Sequence, residues 1–168
     1  MSESHQAEQS LLEPFRYINS VPGKNVRGKL IDCFQLWMKV ESDDVLTKVK
    51  DIVGDLHNAS LLIDDIEDNS KLRRGQPVAH SIFGVPAVIN TANYVYFLAL
   101  QKCQELENPA AMQSFVSELL NLHRGQGHDI VVSLGRVVAG FNAAELNAVD
   151  SHTYVCVVEG FVAMSFGG

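Results

Sequence analysis

Between Val45 and Ile63, apolar side chains return at a spacing that places them on one face of a helix. The members of this stripe are Val45, Val49, Ile52, Val53, Leu56 and Ile63. Ser42 stands just before the stripe as an N-cap, and Asp43 and Asp44 place carboxylates where the positive end of a helix dipole favours them. The pattern therefore predicts one long helix that begins after Ser42 and ends near Asp68.

Other segments of residues 1–130 carry similar helical signals. Apolar residues recur at helical spacing in residues 11–18 and again in residues 26–40, where Leu30, Cys33, Phe34 and Trp37 are expected on one side. A core helix follows from Pro86, and Asn108-Pro109 is a typical helix start, predicted to lead to about Ile130. The stretch NSKLRRGQP reads as a break between helices. These patterns predict an all-α fold.

Residues 131–168 differ in character from the rest of the chain. This segment contains no lysine and a single arginine, and its VVSLGRVV and YVCVVEGFVAM stretches suit strands at least as well as helices. We therefore expect residues 1–130 to form the helical part of one domain. Residues 131–168 are expected to be a divergent, poorly ordered tail.

Composition and charge exclude several classes of protein. The chain has 168 residues and a formal net charge of −7, which argues against general affinity for nucleic acid or for an anionic membrane face. Cys33, Cys103 and Cys156 are widely spaced, which favours buried thiols in a reducing compartment over disulfides or a zinc site. The polar first residues do not resemble a signal peptide, and no apolar run is long enough to span a bilayer. We expect a cytoplasmic protein.

The end of the long predicted helix carries a cluster of acids, in LLIDDIEDNSKLRRG. His57, Asp64 and Asp68 share one helical face, whereas Asp65 and Glu67 point elsewhere. Two carboxylates one turn apart repel each other by roughly a few tenths of a kcal/mol, unless a cation lies between them. Oxygen ligands without a His–Cys cluster favour Mg²⁺ over zinc.

A simpler interpretation is an exposed acidic turn that pairs with the cations following it, Lys71, Arg73 and Arg74. Arginine also suits phosphate, because its planar fork of donors matches phosphate oxygens. Lys24 and Arg27, taken alone, indicate only a solvated helix start. His57 alone is more typical of a structural histidine, and GQGHD alone indicates a glycine-weakened helix end. The residues by themselves leave both interpretations open.

Taken together, four motifs resemble the trans-prenyltransferases, the head-to-tail isoprenyl diphosphate synthases, and most closely the animal geranylgeranyl diphosphate synthases. The motifs are LLEPFRYI, PGKNVRGKL, LLNLHRGQGHDI and the long stretch from Leu56 to Leu100 that contains DDxxD followed by KLRRG. The resemblance covers most of residues 11–130. It implies the N-terminal part of the isoprenoid synthase helical bundle, in which isopentenyl diphosphate condenses with an allylic diphosphate, here farnesyl diphosphate.

The resemblance also implies roles for individual residues. Asp64, Asp65 and Asp68 would form the catalytic acid motif, with Asp64 and Asp68 binding Mg²⁺ and Asp65 supporting them. Arg73 would hold the allylic diphosphate, near the Gln126 and Asp129 element. The residues expected to hold isopentenyl diphosphate are Lys24, Arg27, His57 and Arg74. Small residues at Ala59 and Ser60 would leave room for a product longer than farnesyl diphosphate.

The resemblance stops after Ile130. No second DDxxD follows in the sequence, and the lysines that the family carries after the position of Asp129 are missing. These departures predict a C-terminally truncated form with an unrelated tail. They leave two hypotheses, an active geranylgeranyl diphosphate synthase or a non-catalytic isoform that binds diphosphate or a full-length subunit. Family members form homo-oligomers, so self-association is a further expectation.

Overall fold

A computed structural model describes residues 3–21, 23–40 and 42–139 of the chain, and helices dominate this part. The helices are α1 (Glu3–Leu11), α2 (Glu13–Ser20), α3 (Val26–Met38), α4 (Asp43–Glu67), α5 (Ala79–Phe83), α6 (Val85–Gln104) and α7 (Pro109–Ala139). Two short strands, β1 (Leu72–Arg73) and β2 (Gln76–Pro77), lie between α4 and α5. The all-α prediction is confirmed. The chain divides into two units, Met1–Glu105 and the part that begins at Leu106.

Helix α4 begins and ends close to where the sequence places it. The Ser42 hydroxyl accepts a hydrogen bond from the Val45 amide at 3.4 Å, and Asp43 and Asp44 occupy the first turn. At the other end, Asp68 is the C-cap residue, and its amide donates to the Asp64 carbonyl at 2.9 Å. At the N-terminal end a local signal determined the boundary, because the Ser42 hydroxyl satisfies an amide that the helix itself leaves without a partner.

The core of the first unit lies where α4 packs against α6, with α2 and α5 beside them. One cluster of this core contains the buried residues Ile18, Leu62, Ala79, Val88 and Ala92. Helix α6 contributes Val88 and Ala92 to this cluster, so the expectation that it is a core helix is confirmed for the face that carries them. Phe97 on the same helix is nevertheless mostly exposed.

Helix α3 buries a different face from the one expected. Ile31 is its fully buried residue, whereas Cys33 is exposed and Trp37 is 79% exposed. The expectation of a buried thiol is wrong for Cys33 and correct for Cys103, which is buried. Cys156 lies outside the described residues. The apolar residues of α3 surround the helix broadly, so their spacing alone did not determine which side meets the core.

The stretch predicted as a break contains a small antiparallel hairpin. Leu72 pairs with Pro77 and Arg73 with Gln76. Arg74 and Gly75 form the turn with φ values of 54° and 80°. Positive φ at both positions is typical of the two-residue turns that match the twist of antiparallel strands. The hairpin holds Arg73 and Arg74 at a defined position beside the end of α4.

In the second unit, helix α7 starts as predicted. The Asn108 side-chain oxygen accepts hydrogen bonds from the amides of Ala110 and Ala111, at 2.9 and 3.2 Å. The helix then continues past Ile130 to Ala139. Residues 131–139 are therefore helical, although their composition suits strands equally well. The remainder of the tail, residues 140–168, lies outside the described residues.

None of the helices within the described ranges combines the length and the apolar character needed to cross a membrane.

Candidate active site

A cavity of about 860 Å³ in the first unit collects the basic side chains predicted to bind diphosphate. Lys24 reaches it from the segment that leads into α3, Arg27 from the first turn of α3, and His57 from α4. Arg73 and Arg74 reach it from the hairpin. These five residues come from three separate segments of the sequence, and the fold brings them to one cavity. A concave site with this concentration of positive charge suits a small polyanion.

Arg73 pairs with two neighbouring acids of the DDxxD motif. Its Nη2 atom lies 2.7 Å from Asp64 Oδ2 and 2.7 Å from Asp65 Oδ1, and its Nε donates to the same Asp65 oxygen at 2.9 Å. The simpler interpretation of the sequence, ion pairing between the acids and the basic residues after them, is therefore correct for Arg73. Asp65 was expected to point away from Asp64, yet one guanidinium reaches both carboxylates.

The electrostatic setting keeps Arg73 charged. Burial works against the charged form, but hydrogen bonds to Asp65 and Asp64 and the charges of both acids outweigh it, so the pKa of Arg73 is raised. Within the described part of the chain, Arg73 Nη1 makes no hydrogen bond. Because Arg73 also lines the cavity, it has donors left for a bound anion.

Arg74 has different partners from Arg73. Its Nη1 atom donates to the carbonyl oxygens of Val21 and, at 3.5 Å, of Ile18, at the C-terminal end of α2. A cation there stabilises the negative end of the helix dipole. Gly23 permits this approach, since a Cβ at that position would lie 3.0 Å from Arg74 Nη2. Arg74 thereby connects the hairpin to the loop that carries Lys24.

His57 lies half-buried among the arginines of the cavity. Burial, then the positive charges of Arg27, Arg74 and Arg73, lower its pKa from 6.5 to about 4. At neutral pH the ring is therefore uncharged and carries one N–H donor. Its Nδ1 atom is buried and has no hydrogen-bond partner in the described part of the protein. Such an atom usually signals a missing partner, such as water or a ligand.

The acidic end of α4 offers few ligands for a metal. Asp64 is half-buried and shared with Arg73, and Asp68 is exposed at the C-terminal end of the helix, where the dipole favours a cation. No group of three or more His, Cys, Asp or Glu side chains suited to a metal occurs among the residues that the structure describes. Two carboxylates fit a hard cation that takes its other ligands from water and phosphate, the usual arrangement for Mg²⁺.

Sequence reasoning missed other residues of the cavity. Lys50 of α4 forms an ion pair with Asp32 of α3, and both line the cavity. Lys50 stands seven positions before His57, so the helical phase that aligned Asp64 with His57 would also have selected Lys50. Asn58 donates a hydrogen bond to Asn19 at 2.6 Å, which joins α4 to α2 at the edge of the same cavity.

Gln126 and Asp129 lie on α7, in the second unit. They are three positions apart, so they share one helical face, as predicted. Gln126 is half-buried and Asp129 is exposed. Their predicted role in holding an allylic diphosphate remains a prediction.

Comparison with known proteins shows the family. The family model described as polyprenyl synthetase matches residues 8–160. A geranylgeranyl pyrophosphate synthase of Mucor circinelloides f. lusitanicus is 55% identical over 129 residues, which are 77% of this chain and 42% of the relative. For the enzymes of the same name from Hypoxylon pulicicidum and Dictyostelium discoideum, the identities are 57% and 52%, over 76% and 74% of this chain.

The chain spans only 42%, 33% and 41% of the lengths of these three relatives. The match nevertheless covers most of the described residues, including the basic cavity and the acidic end of α4. The helices of the structure therefore correspond to part of a polyprenyl synthetase domain. On this evidence the chain belongs to the polyprenyl synthetase family of trans-prenyltransferases.

Proposed function

We propose that this chain acts as a geranylgeranyl diphosphate synthase-like prenyltransferase, which condenses isopentenyl diphosphate with farnesyl diphosphate. The observation that carries the proposal is the basic cavity, in which five predicted anion-binding side chains meet beside the acidic end of α4. The names of the similar proteins support the same reaction class.

The residues of the cavity would hold the diphosphate of isopentenyl diphosphate. Lys24, Arg27 and Arg74 supply positive charge, and the neutral ring of His57 supplies a single hydrogen-bond donor without adding a fourth charge. The His57 Nδ1 atom, which lacks a protein partner among the described residues, marks the place where a ligand or water completes the network.

The acidic end of α4 would serve the allylic substrate. Asp64 and Asp68 would hold Mg²⁺, which neutralises the charge that develops on the leaving diphosphate. Arg73 would donate its Nη1 hydrogens, which make no bond within the described residues, to the same diphosphate. Asp65, buried and bonded to Arg73, would keep that guanidinium in place.

Product length also belongs to the proposal. Ala59 and Ser60 precede the acidic motif by one turn, and both are buried. We infer from their small size that the hydrocarbon tail of a product longer than farnesyl diphosphate fits beside α4. The size of the product that accumulates tests this inference.

One incubation tests the activity. The purified chain is supplied with farnesyl diphosphate, labelled isopentenyl diphosphate and Mg²⁺, and we expect labelled geranylgeranyl diphosphate. Asp64→Ala should abolish the product. Asp44→Ala is the matched control, because Asp44 is an exposed acid on the same helix that pairs with Lys48, at 3.3 Å. A folded chain that forms no product would contradict the proposal.

A second candidate function is binding without catalysis, either of diphosphate or of a full-length subunit. It is favoured because the whole basic cavity lies within the first unit, while the sequence contains a single DDxxD. Calorimetric titration with inorganic pyrophosphate separates the two functions. Binding that Arg27→Gln weakens, without any product in the incubation, would support the non-catalytic function. Co-purification with a longer homologue would identify the subunit partner.

A further inference from the structure

Arg73 is shared by two adjacent aspartates whose environments differ. The side chain of Asp65 is 3% exposed, and its Oδ1 atom accepts a hydrogen bond from Arg73 Nε at 2.9 Å and lies 2.7 Å from Nη2. The side chain of Asp64 is 23% exposed and receives Nη2 alone. The contact with Asp65 is the more buried and involves two nitrogens of Arg73, whereas the contact with Asp64 is more open to solvent and involves one nitrogen. A bond that solvent and ions reach is the easier of the two to exchange.

The contact with Asp64 competes with any cation that Asp64 would bind. A divalent ion placed on this carboxylate would lie close to the positive guanidinium, and the two would repel each other. The same ion would also bind the carboxylate of Asp64, whose negative charge now stabilises the charged form of Arg73. Asp65 is not subject to this competition to the same degree, since its burial keeps ions away from it.

We propose that Asp64 exchanges Arg73 for a divalent cation while Asp65 retains Arg73 at the wall of the cavity. Asp65 is then a positioning residue that acts through Arg73, and Asp64 is the exchanging ligand. The exchange frees the Nη2 hydrogen of Arg73 that Asp64 now accepts, at the moment when the cation arrives, so the cation and the anion favour each other's binding. This inference rests on the proposed function, because it assumes that Asp64 receives the cation.

The first experiment measures Mn²⁺ binding to the purified full chain by electron paramagnetic resonance, without any diphosphate. Arg73→Gln removes the competing guanidinium, so Mn²⁺ affinity should rise by about 5-fold or more, the lower range of typical coupling between sites. Asp64→Asn should lose most of the affinity. An affinity in Arg73→Gln equal to or below that of the unmodified chain would overturn the exchange.

Lys71→Gln is the matched control for charge. It changes the net charge by the same amount and lies two residues from Arg73, but Lys71 bonds to Asn69 at 2.9 Å and not to an acid of the motif. We expect its Mn²⁺ affinity to stay close to that of the unmodified chain. A rise equal to that of Arg73→Gln would show a general charge effect and overturn the proposal.

The second experiment needs no variant, so it stands even if Arg73→Gln fails to fold. Phenylglyoxal modifies arginines that are free to react, and mass spectrometry follows the modification of Arg73 and Arg74 separately. Mn²⁺ alone should speed the modification of Arg73. Arg74, which bonds to the carbonyls of Ile18 and Val21, is the internal reference and should not change. An unchanged rate at Arg73 would contradict the exchange.

The positioning role of Asp65 is tested with a double-mutant cycle. Asp65→Asn should weaken the binding of inorganic pyrophosphate in the presence of Mn²⁺, and Asp65→Glu should restore part of it. In the Arg73→Gln background, Asp65→Asn should have no further effect. An equal effect in both backgrounds would show that Asp65 does not act through Arg73.

The two proposals fail in distinguishable ways. If the Mn²⁺ affinity and Arg73 reactivity change as expected but no prenyl product forms, the exchange is supported and the enzymatic function is wrong. If product forms but Arg73→Gln does not raise the Mn²⁺ affinity, the function is supported and the exchange is wrong. An unmodified chain that binds no Mn²⁺ would overturn the exchange.

Discussion

The Tyr17 hydroxyl donates a hydrogen bond to the Pro77 carbonyl oxygen at 2.7 Å, which joins α2 to the hairpin strand β2 across sixty residues of sequence. The Tyr17 ring also packs edge-on against Phe83, with ring centroids 5.8 Å apart. This contact holds the hairpin that carries Arg73 and Arg74. Removal of the Tyr17 hydroxyl should therefore affect the cavity as well as the stability of the fold.

Tyr17→Phe should lower the free energy of unfolding by about 0.5–1.5 kcal/mol, the usual net contribution of one hydrogen bond. It should also weaken pyrophosphate binding, because the hairpin becomes less well held. Urea denaturation and calorimetry measure the two effects. Tyr94→Phe is the control, since it removes only an exposed hydroxyl bond to Glu8. If both variants weaken pyrophosphate binding equally, Tyr17 has no special role at the hairpin.

Leu62→Ala should destabilise the first unit by about 2–5 kcal/mol, because it opens a cavity in a core that cannot fully collapse. Leu62 is completely buried in the cluster with Val88 and Ala92. Leu72→Ala makes the same change at a residue that is 65% exposed, and should cost less than about 0.5 kcal/mol. Thermal or urea unfolding of both variants tests the difference, which similar losses would contradict.

Acid should destabilise the protein partly through His57. Its pKa is lowered to about 4 in the fold, against 6.5 in the unfolded chain, so only the unfolded state gains a proton as the pH falls through this range. Well above pH 6.5, where neither the folded nor the unfolded state binds a proton at His57, the residue contributes nothing to the pH dependence. Between pH 6.5 and pH 4 it should remove about 2 kcal/mol of stability, allowing for the part of the ring that water reaches.

His57→Gln should therefore flatten the curve of unfolding free energy against pH within that window. Urea titrations at a series of pH values measure it. His128→Gln replaces an exposed histidine of α7 and serves as the control. A His57→Gln curve that falls as steeply as that of the unmodified chain would contradict the assignment.

Asn108→Ala should loosen the start of α7 by about 1 kcal/mol, because the amides of Ala110 and Ala111 lose their acceptor. Hydrogen exchange at these two amides should become faster. Asn108→Asp keeps an acceptor and adds a negative charge that the helix dipole favours, so it should preserve the protection. Unchanged exchange in the alanine variant would show that the cap is not needed.

The helix boundaries that the sequence predicted best are those with local capping signals. Ser42 and Asn108 each cap a helix through atoms two or three residues away, so the relevant physics is contained in a short window. The hairpin was missed because strands of two residues are too short to show alternation. Its turn also places Arg74, a residue other than glycine, at positive φ, which no local rule favours.

In the candidate site, too, some features could be predicted from the sequence and others depended on tertiary contacts. Helical phase selected His57, and the family resemblance selected Lys24, Arg27 and Arg74; the structure gathers these four residues in one cavity. Roles for individual residues, including those of Gln126 and Asp129, remain predictions. The partners of Arg73 could not be read from spacing, because they depend on how the hairpin folds back beside α4.

Periodicity, caps and the DDxxD–KLRRG motif were sufficient to predict an all-α fold and to identify the prenyltransferase family, since these signals act over a few residues or as a contiguous pattern. Tertiary packing decided which face of α3 is buried, that Cys33 is exposed, and that Asp65 and Asp64 share Arg73. Those outcomes depend on contacts between segments distant in sequence. The energies of such contacts come from burial and charge in the folded chain, which no short window of residues contains.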